Sequence, residues 1–76
     1  MGKLRNLSGR EVRGILEAQG FAMVRQHGSH MVLQRSVAGA TQTAIVPNHK
    51  SIRAGTLSSI IRQSGIPRSE FEVKGS

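Results

Sequence analysis

The chain has 76 residues, enough for one domain, and a domain this small buries only about 60% of the surface its unfolded chain exposes. That excludes a large enclosed active site, so chemistry belongs on an open surface or groove where a substrate larger than the protein can lie. Eleven Lys and Arg against four Glu and no Asp give a formal charge of +7 and a sequence pI near 11.8, which points to a polyanionic partner, nucleic acid ahead of an anionic membrane or an acidic protein.

There is no Cys, which rules out disulfides and thiolate metal sites and is compatible with a reducing compartment. No apolar run approaches the roughly 20 residues of a membrane span, and Met1 to Leu7 lacks the apolar core of a signal peptide. A cytoplasmic protein with no membrane partner is expected.

Ser8-Gly9-Arg10-Glu11 fits a capping box, with Leu7 and Val12 at the two positions of a hydrophobic staple. Val12, Ile15 and Leu16 continue as an apolar stripe at helical spacing, and Gly20 follows as a stop, so a first helix is predicted from Gly9 to Gln19. Phe21 to Gln26, His30 to Arg35 and Gln42 to Val46 are short segments rich in apolar or β-branched residues and are predicted to be strands. Gly28-Ser29 suits a two-residue type II′ hairpin turn between the first two.

That turn fixes a register: His27 opposes His30, followed by Gln26 with Met31, Arg25 with Val32 and Val24 with Leu33. Alternation then assigns Val24, Met31 and Leu33 to the core face, and Arg25, His27, His30, Val32 and Gln34 to the other. Phe21 falls on the polar face by the same count, which requires that it precede the strand or that the pairing be bulged.

Ser36 to Thr41 reads as a loop turning at Gly39, and Pro47 ends the third strand because it cannot donate in a central ladder. Leu57, Ile60 and Ile61 form a second helical stripe within Ala54 to Ser64, which Gly65 stops in a left-handed conformation, with Ile66 folding back and Pro67 preventing continuation. One more turn through Glu70 and Phe71 is expected. Val24, Leu57, Ile60 and Ile61 read as core. The fold class is α+β: a two-layer α-β-β-β-α domain, a three-stranded antiparallel sheet with two helices on one face and the other face free. Double-stranded-RNA-binding domains share this order of elements.

With no Asp, Cys or Tyr, and Glu confined to positions 11, 17, 70 and 72, a glycosidase-like carboxylate pair or an acidic two-metal nuclease site is very hard to build. His27, His30 and His49 remain. A single imidazole is most often a solvated surface group, but His30 stands beside a tight turn on the face that carries Arg25. A zinc site of His27, His30 and His49 lacks a fourth ligand and a carboxylate to orient it. Acid/base chemistry on RNA needs less: an imidazole, which exchanges protons near neutral pH, withdraws the proton of a 2′-hydroxyl, that oxygen attacks the adjacent phosphorus, and cations stabilise the developing charge. No cofactor or metal is required. Gly28 allows close backbone approach and Ser29 can donate to a phosphate oxygen, although Gly-Ser by itself signals only a turn. Lys50 and Arg53 are the best phosphate ligands among the scattered cations, since they precede a helix N-terminus. Most of the others, Lys3, Arg5, Arg10, Arg13, Arg35, Arg62, Arg68 and Lys74, read as solvated surface charge.

Gly20-Phe21, Arg25, Gly28-Ser29-His30, Val46-Pro47-Asn48-His49, Gly55-Thr56-Leu57, Ile60-Ile61 and Gly65-Ile66, in this order and spacing, resemble the HicA toxins of toxin–antitoxin pairs over nearly the whole chain. The resemblance implies a single domain over residues 1–76 with a fold like a double-stranded-RNA-binding domain, a messenger-RNA endoribonuclease that arrests growth, and a HicB-type antitoxin that covers the His30 surface. The family's catalytic His matches His30. His49 matches a second recurring His, to which no chemical role is assigned, and His27 stands outside the family pattern. The alternative function is a non-catalytic double-stranded-RNA-binding module.

Overall fold

The computed structural model describes residues 7–72. Lys3, Arg5 and Lys74 lie outside the described residues. The order of elements is α1 (Gly9–Ala18), β1 (Ala22–His27), β2 (His30–Val37), β3 (Ala40–Pro47), α2 (Ala54–Ser64) and a closing 3₁₀ turn, Arg68–Phe71. The strands form one antiparallel sheet in the order β1-β2-β3. Val12 and Leu16 from α1, Leu57 and Ile60 from α2, and Met31, Leu33, Ala44 and Val46 from the sheet share one buried core, so both helices cover the same sheet face.

α1 begins where its side chains satisfy the free end of the helix. The Ser8 N–H donates to Glu11 Oε1 (3.0 Å) and the Glu11 N–H donates to Ser8 Oγ (3.1 Å). Leu7 and Val12 are both fully buried beneath this cap. The helix ends at the predicted place: Gly20 takes φ 95°, its N–H donates to the Glu17 carbonyl and the Phe21 N–H donates to that of Leu16. This pair of bonds is a Schellman closure. Gly65 ends α2 in the same left-handed region, at φ 72°, and there the Ile66 N–H donates to Ser64 Oγ at 3.1 Å.

Gly9 positions this helix. Its N–H donates to the His49 carbonyl at 2.8 Å, and a Cβ built on it would overlap the Pro47 carbonyl oxygen and stand 2.8 Å from Asn48 Cα. Only glycine lets the first turn of α1 press against the chain leaving β3.

Two expectations from the sequence are corrected. Val24 is not in the core but 53% exposed, because the β1–β2 ladder shifts register between Met23 and Arg25. Met23, not Val24, opposes Leu33 and packs against the core. A bulge places one extra residue on its strand, so strict alternation fails upstream of it. Phe21 gave the warning, and both of the solutions it allowed hold: it precedes β1, it is buried, and the pairing is bulged. Second, Ser36 to Thr41 is not a loop. β2 and β3 run on to the pair Val37 and Ala40, joined by Ala38-Gly39 alone. Both residues have positive φ, 51° and 82°, the requirement of a type I′ turn, and Ala38 is the only described non-glycine residue in that region.

Candidate active site

The first hairpin closes as its two central residues dictate. Gly28 takes φ 56°, Ser29 remains at negative φ, and His27 and His30 face each other across the turn. Gln26 Nε2 donates to the Gly28 carbonyl at 3.0 Å and braces the turn from the β1 side. From the other side, the Asn48 N–H donates to the Ser29 carbonyl at 2.6 Å, and His30 pairs with Pro47 on β3. His30 therefore stands at the start of the central strand with its backbone held by both neighbours. His27 lies on an edge strand.

Opposed residues of an antiparallel ladder point to the same side, so His27, His30, the pair Arg25 and Val32, and the pair Val32 and Ile45 share the face turned away from the helices. His27, His30 and Arg25 are exposed. Val32 is buried at the centre of this face and Ile45 beside it is 47% exposed, a small apolar strip bordered by the imidazoles and a guanidinium. No carboxylate interrupts the face: between Glu17 and Glu70 the chain contains none. Both Phe residues, Phe21 and Phe71, are buried, and the chain has no Trp or Tyr.

Beside the turn, the segment that follows β3 leads to a second feature. Pro47, His49, Ser51, Ile52, Arg53 and Thr56 line an open depression of about 310 Å³ at the start of α2. Arg53 is the N-cap residue of α2 but makes no side-chain capping bond, and no acidic residue occupies the helix's first turn. Free N–H groups, a guanidinium and two hydroxyls thus line or border one concavity, a setting that favours anions. Arg53 lines the depression and is exposed, and Lys50 is exposed in the same loop. Arg10 is exposed on the first turn of α1, next to the contact between Gly9 and His49.

The structure brings His27, His30 and Arg25 together on one face, with Gly28 and Ser29 between the two imidazoles. It places His49, Lys50 and Arg53 in the adjoining loop. The three His do not converge: among the described residues no three of His, Cys, Asp and Glu are grouped so as to hold a metal ion. Ser51 carries no sequence signal and Thr56 stands out only within the family resemblance, because the fold of the loop is what brings both to the depression with His49.

Arg35 corrects the expectation of a solvated surface charge. Its Nε donates to Gln42 Oε1 (2.6 Å), Nη1 to the Gln19 carbonyl (2.8 Å) and Nη2 to the Ser64 carbonyl (3.3 Å), and the guanidinium lies 4.9 Å from the centre of the Phe21 ring. This cation ties the C-terminal ends of both helices to the sheet, at the end of the molecule away from His30.

Residues 9–66 match the family described as HicA toxin of bacterial toxin–antitoxin. The chain belongs to the HicA toxin family. No curated protein and no solved structure matches it. The matched residues run from the first residue of α1 to the residue after the Gly65 stop, so they include the whole sheet, the His27–His30 turn and the depression. They stop before the 3₁₀ turn, whose Phe71 is buried in the same core. Among the described residues no helix is long and apolar enough to cross a membrane.

Proposed function

We propose that this HicA-family protein is the toxin of a type II toxin–antitoxin pair, an endoribonuclease that cleaves messenger RNA without a metal, using His30 as its general acid or base. The position of His30 carries the reading. It is exposed on a carboxylate-free sheet face beside Arg25, at a turn held by hydrogen bonds from two sides. Arg25, Lys50 and Arg53 hold phosphates, and Gly28 and Ser29 let the RNA backbone approach the turn. Withdrawal of the 2′-hydroxyl proton lets that oxygen attack the adjacent phosphorus, and the cations stabilise the charge that builds on the phosphoryl oxygens. DNA lacks the 2′-hydroxyl and is inert to this route. A HicB-type antitoxin neutralises the toxin in the cytoplasm by covering the His30 face.

Purified protein is expected to cleave single-stranded RNA in EDTA, and His30→Ala to abolish cleavage while RNA binding survives. Undiminished cutting by that variant would refute the assignment. Expressed in cells, wild type and His30→Ala should differ in growth arrest, and co-expression of the antitoxin should restore growth. The α-β-β-β-α order favours one other reading, a double-stranded-RNA-binding module that makes no cut. Tight, salt-sensitive binding of a duplex that stays intact, with single strands also uncut, would decide for it.

A further inference from the structure

Cleavage by attack of a 2′-hydroxyl involves two proton transfers. The O2′–H proton leaves as the O2′–P bond forms, and a proton must reach O5′ as the P–O5′ bond breaks. The attacking and leaving oxygens lie on opposite sides of the phosphorus, roughly in line. One imidazole serves one side only. The open face offers a second one: His27 pairs directly with His30 across the two-residue turn, on the same side of the sheet and also exposed. Opposed residues of an antiparallel pair hold their Cβ atoms about 4.5–5.5 Å apart, so two imidazoles that splay from such a pair can flank one phosphodiester. Gly28, without a side chain, leaves the turn between them clear.

We infer that His27 and His30 act as an acid–base pair: one imidazole accepts the 2′-hydroxyl proton while the other, protonated, donates to the departing 5′-oxygen. This rests on the ribonuclease reading above. The products are a 2′,3′-cyclic phosphate and a free 5′-hydroxyl, no water is consumed, and the two imidazoles exchange protonation states. Other partners for His30 are less well placed. His49 stands in the loop after β3, has no register position on this face, and lines the depression with Arg53. Carboxylates are absent from all three strands. Among the described residues of the strands, the remaining titratable group on the face is Arg25, opposed to Val32 and too basic to exchange protons.

The test uses the intact chain, a short RNA with its ordinary phosphodiester, and the same RNA with sulfur in place of the bridging 5′-oxygen. A thiolate leaves without being protonated, so the sulfur substrate needs no general acid. His27→Gln and His30→Gln are each expected to lose about 10²–10⁴-fold in single-turnover rate on ordinary RNA in EDTA. Wild type should show a bell-shaped pH–rate profile, and each variant should lose one limb, a different one for each. Whichever imidazole is the acid, its variant should recover to within about tenfold of wild type on the sulfur substrate, a rescue that a merely structural role would not give. Melting followed by circular dichroism verifies that both variants fold. If His30→Gln is inactive but His27→Gln keeps the wild-type rate and both limbs, the pair is refuted and the ribonuclease reading stands. If wild type leaves RNA intact, or His30→Gln cuts as well as wild type, both fall together.

Discussion

Replacing Arg35 by Leu keeps much of the side-chain volume and removes every donor. The guanidinium satisfies the Gln19 and Ser64 carbonyls and Gln42 Oε1, and stands over Phe21. A hydrogen bond from a charged donor contributes about 1.5–3 kcal/mol net. Arg35 is only partly buried, so water reaches the freed acceptors, and each bond counts at about half the low end of that range, about 0.7 kcal/mol. The helix C-termini add about 0.3–1 kcal/mol for a cation at their negative ends, and the ring contact about 0.5–1 kcal/mol. A total loss of about 3 kcal/mol is a large share of the roughly 4–11 kcal/mol expected for a domain of this length. Thermal melts should show Tm falling by about 12–24 °C, and urea titrations a lower midpoint at constant slope. Arg35→Lys keeps the charge but cannot reach three acceptors with one ammonium group, so it should lie between Leu and wild type. Arg62→Leu, on the exposed side of α2, serves as the surface control and should change stability by less than about 0.5 kcal/mol. If Arg35→Leu costs no more than Arg62→Leu, the clamp is not a stabilising contact.

Gly9→Ala should destabilise by about 1–3 kcal/mol in urea unfolding, although Ala is the better helix former, because its Cβ would meet the Pro47 carbonyl and Asn48; a stabilised variant would refute that packing. Ala38→Asn should raise stability by about 0.5–1 kcal/mol, since Asn-Gly suits the type I′ turn that Ala38 enters at φ 51°; an unchanged or lower Tm would overturn this. Arg53→Asp should move stability and binding in opposite directions. An Asp N-cap stabilises α2 by about 0.5–2 kcal/mol, while loss of the cation should weaken RNA binding and flatten its salt dependence by at least about one phosphate contact. Unchanged affinity across a salt series would remove Arg53 from the interface.

The parts of the fold set by local chemistry were legible in the chain. Ser8 and Glu11, Gly20, Gly65 and Gly28-Ser29 each solve a problem within a few residues, and the helices and first hairpin lie where they predict. Counting outward from a two-residue turn also placed His30 opposite His27 and on Arg25's face. What escaped depends on contacts between distant segments or on a cost paid locally. Val24 points outward because the pairing slips between Met23 and Arg25, which turns Met23 toward the core beside the buried Phe21, and a slip set by packing leaves no mark on local alternation. Ala38 takes a left-handed conformation that its side chain disfavours, and Gly39 alone did not reveal so tight a turn. Arg35 looked like any surface cation because its partners, Gln19, Gln42 and Ser64, come from three elements.

These features divide the molecule into two electrically different ends. Arg35 draws the C-termini of α1 and α2 together, so the negative ends of both helix dipoles meet a cation and are neutralised. The helices then necessarily present their N-termini at the other end, where Gly9 docks on His49 and Arg53 opens α2. Glu11 occupies the first turn of α1, but the first turn of α2 has no acid and no side-chain cap. Arg10, Lys50 and Arg53 collect at this same end, and the Asn48–Ser29 bond joins it to the His27–His30 turn. On the function proposed above, the positive charge that meets RNA thus gathers beside the two imidazoles, while the cation at the far end holds the fold. An N-cap occupied by Arg where Asp would be more stable is what this division predicts for a surface selected to meet phosphate.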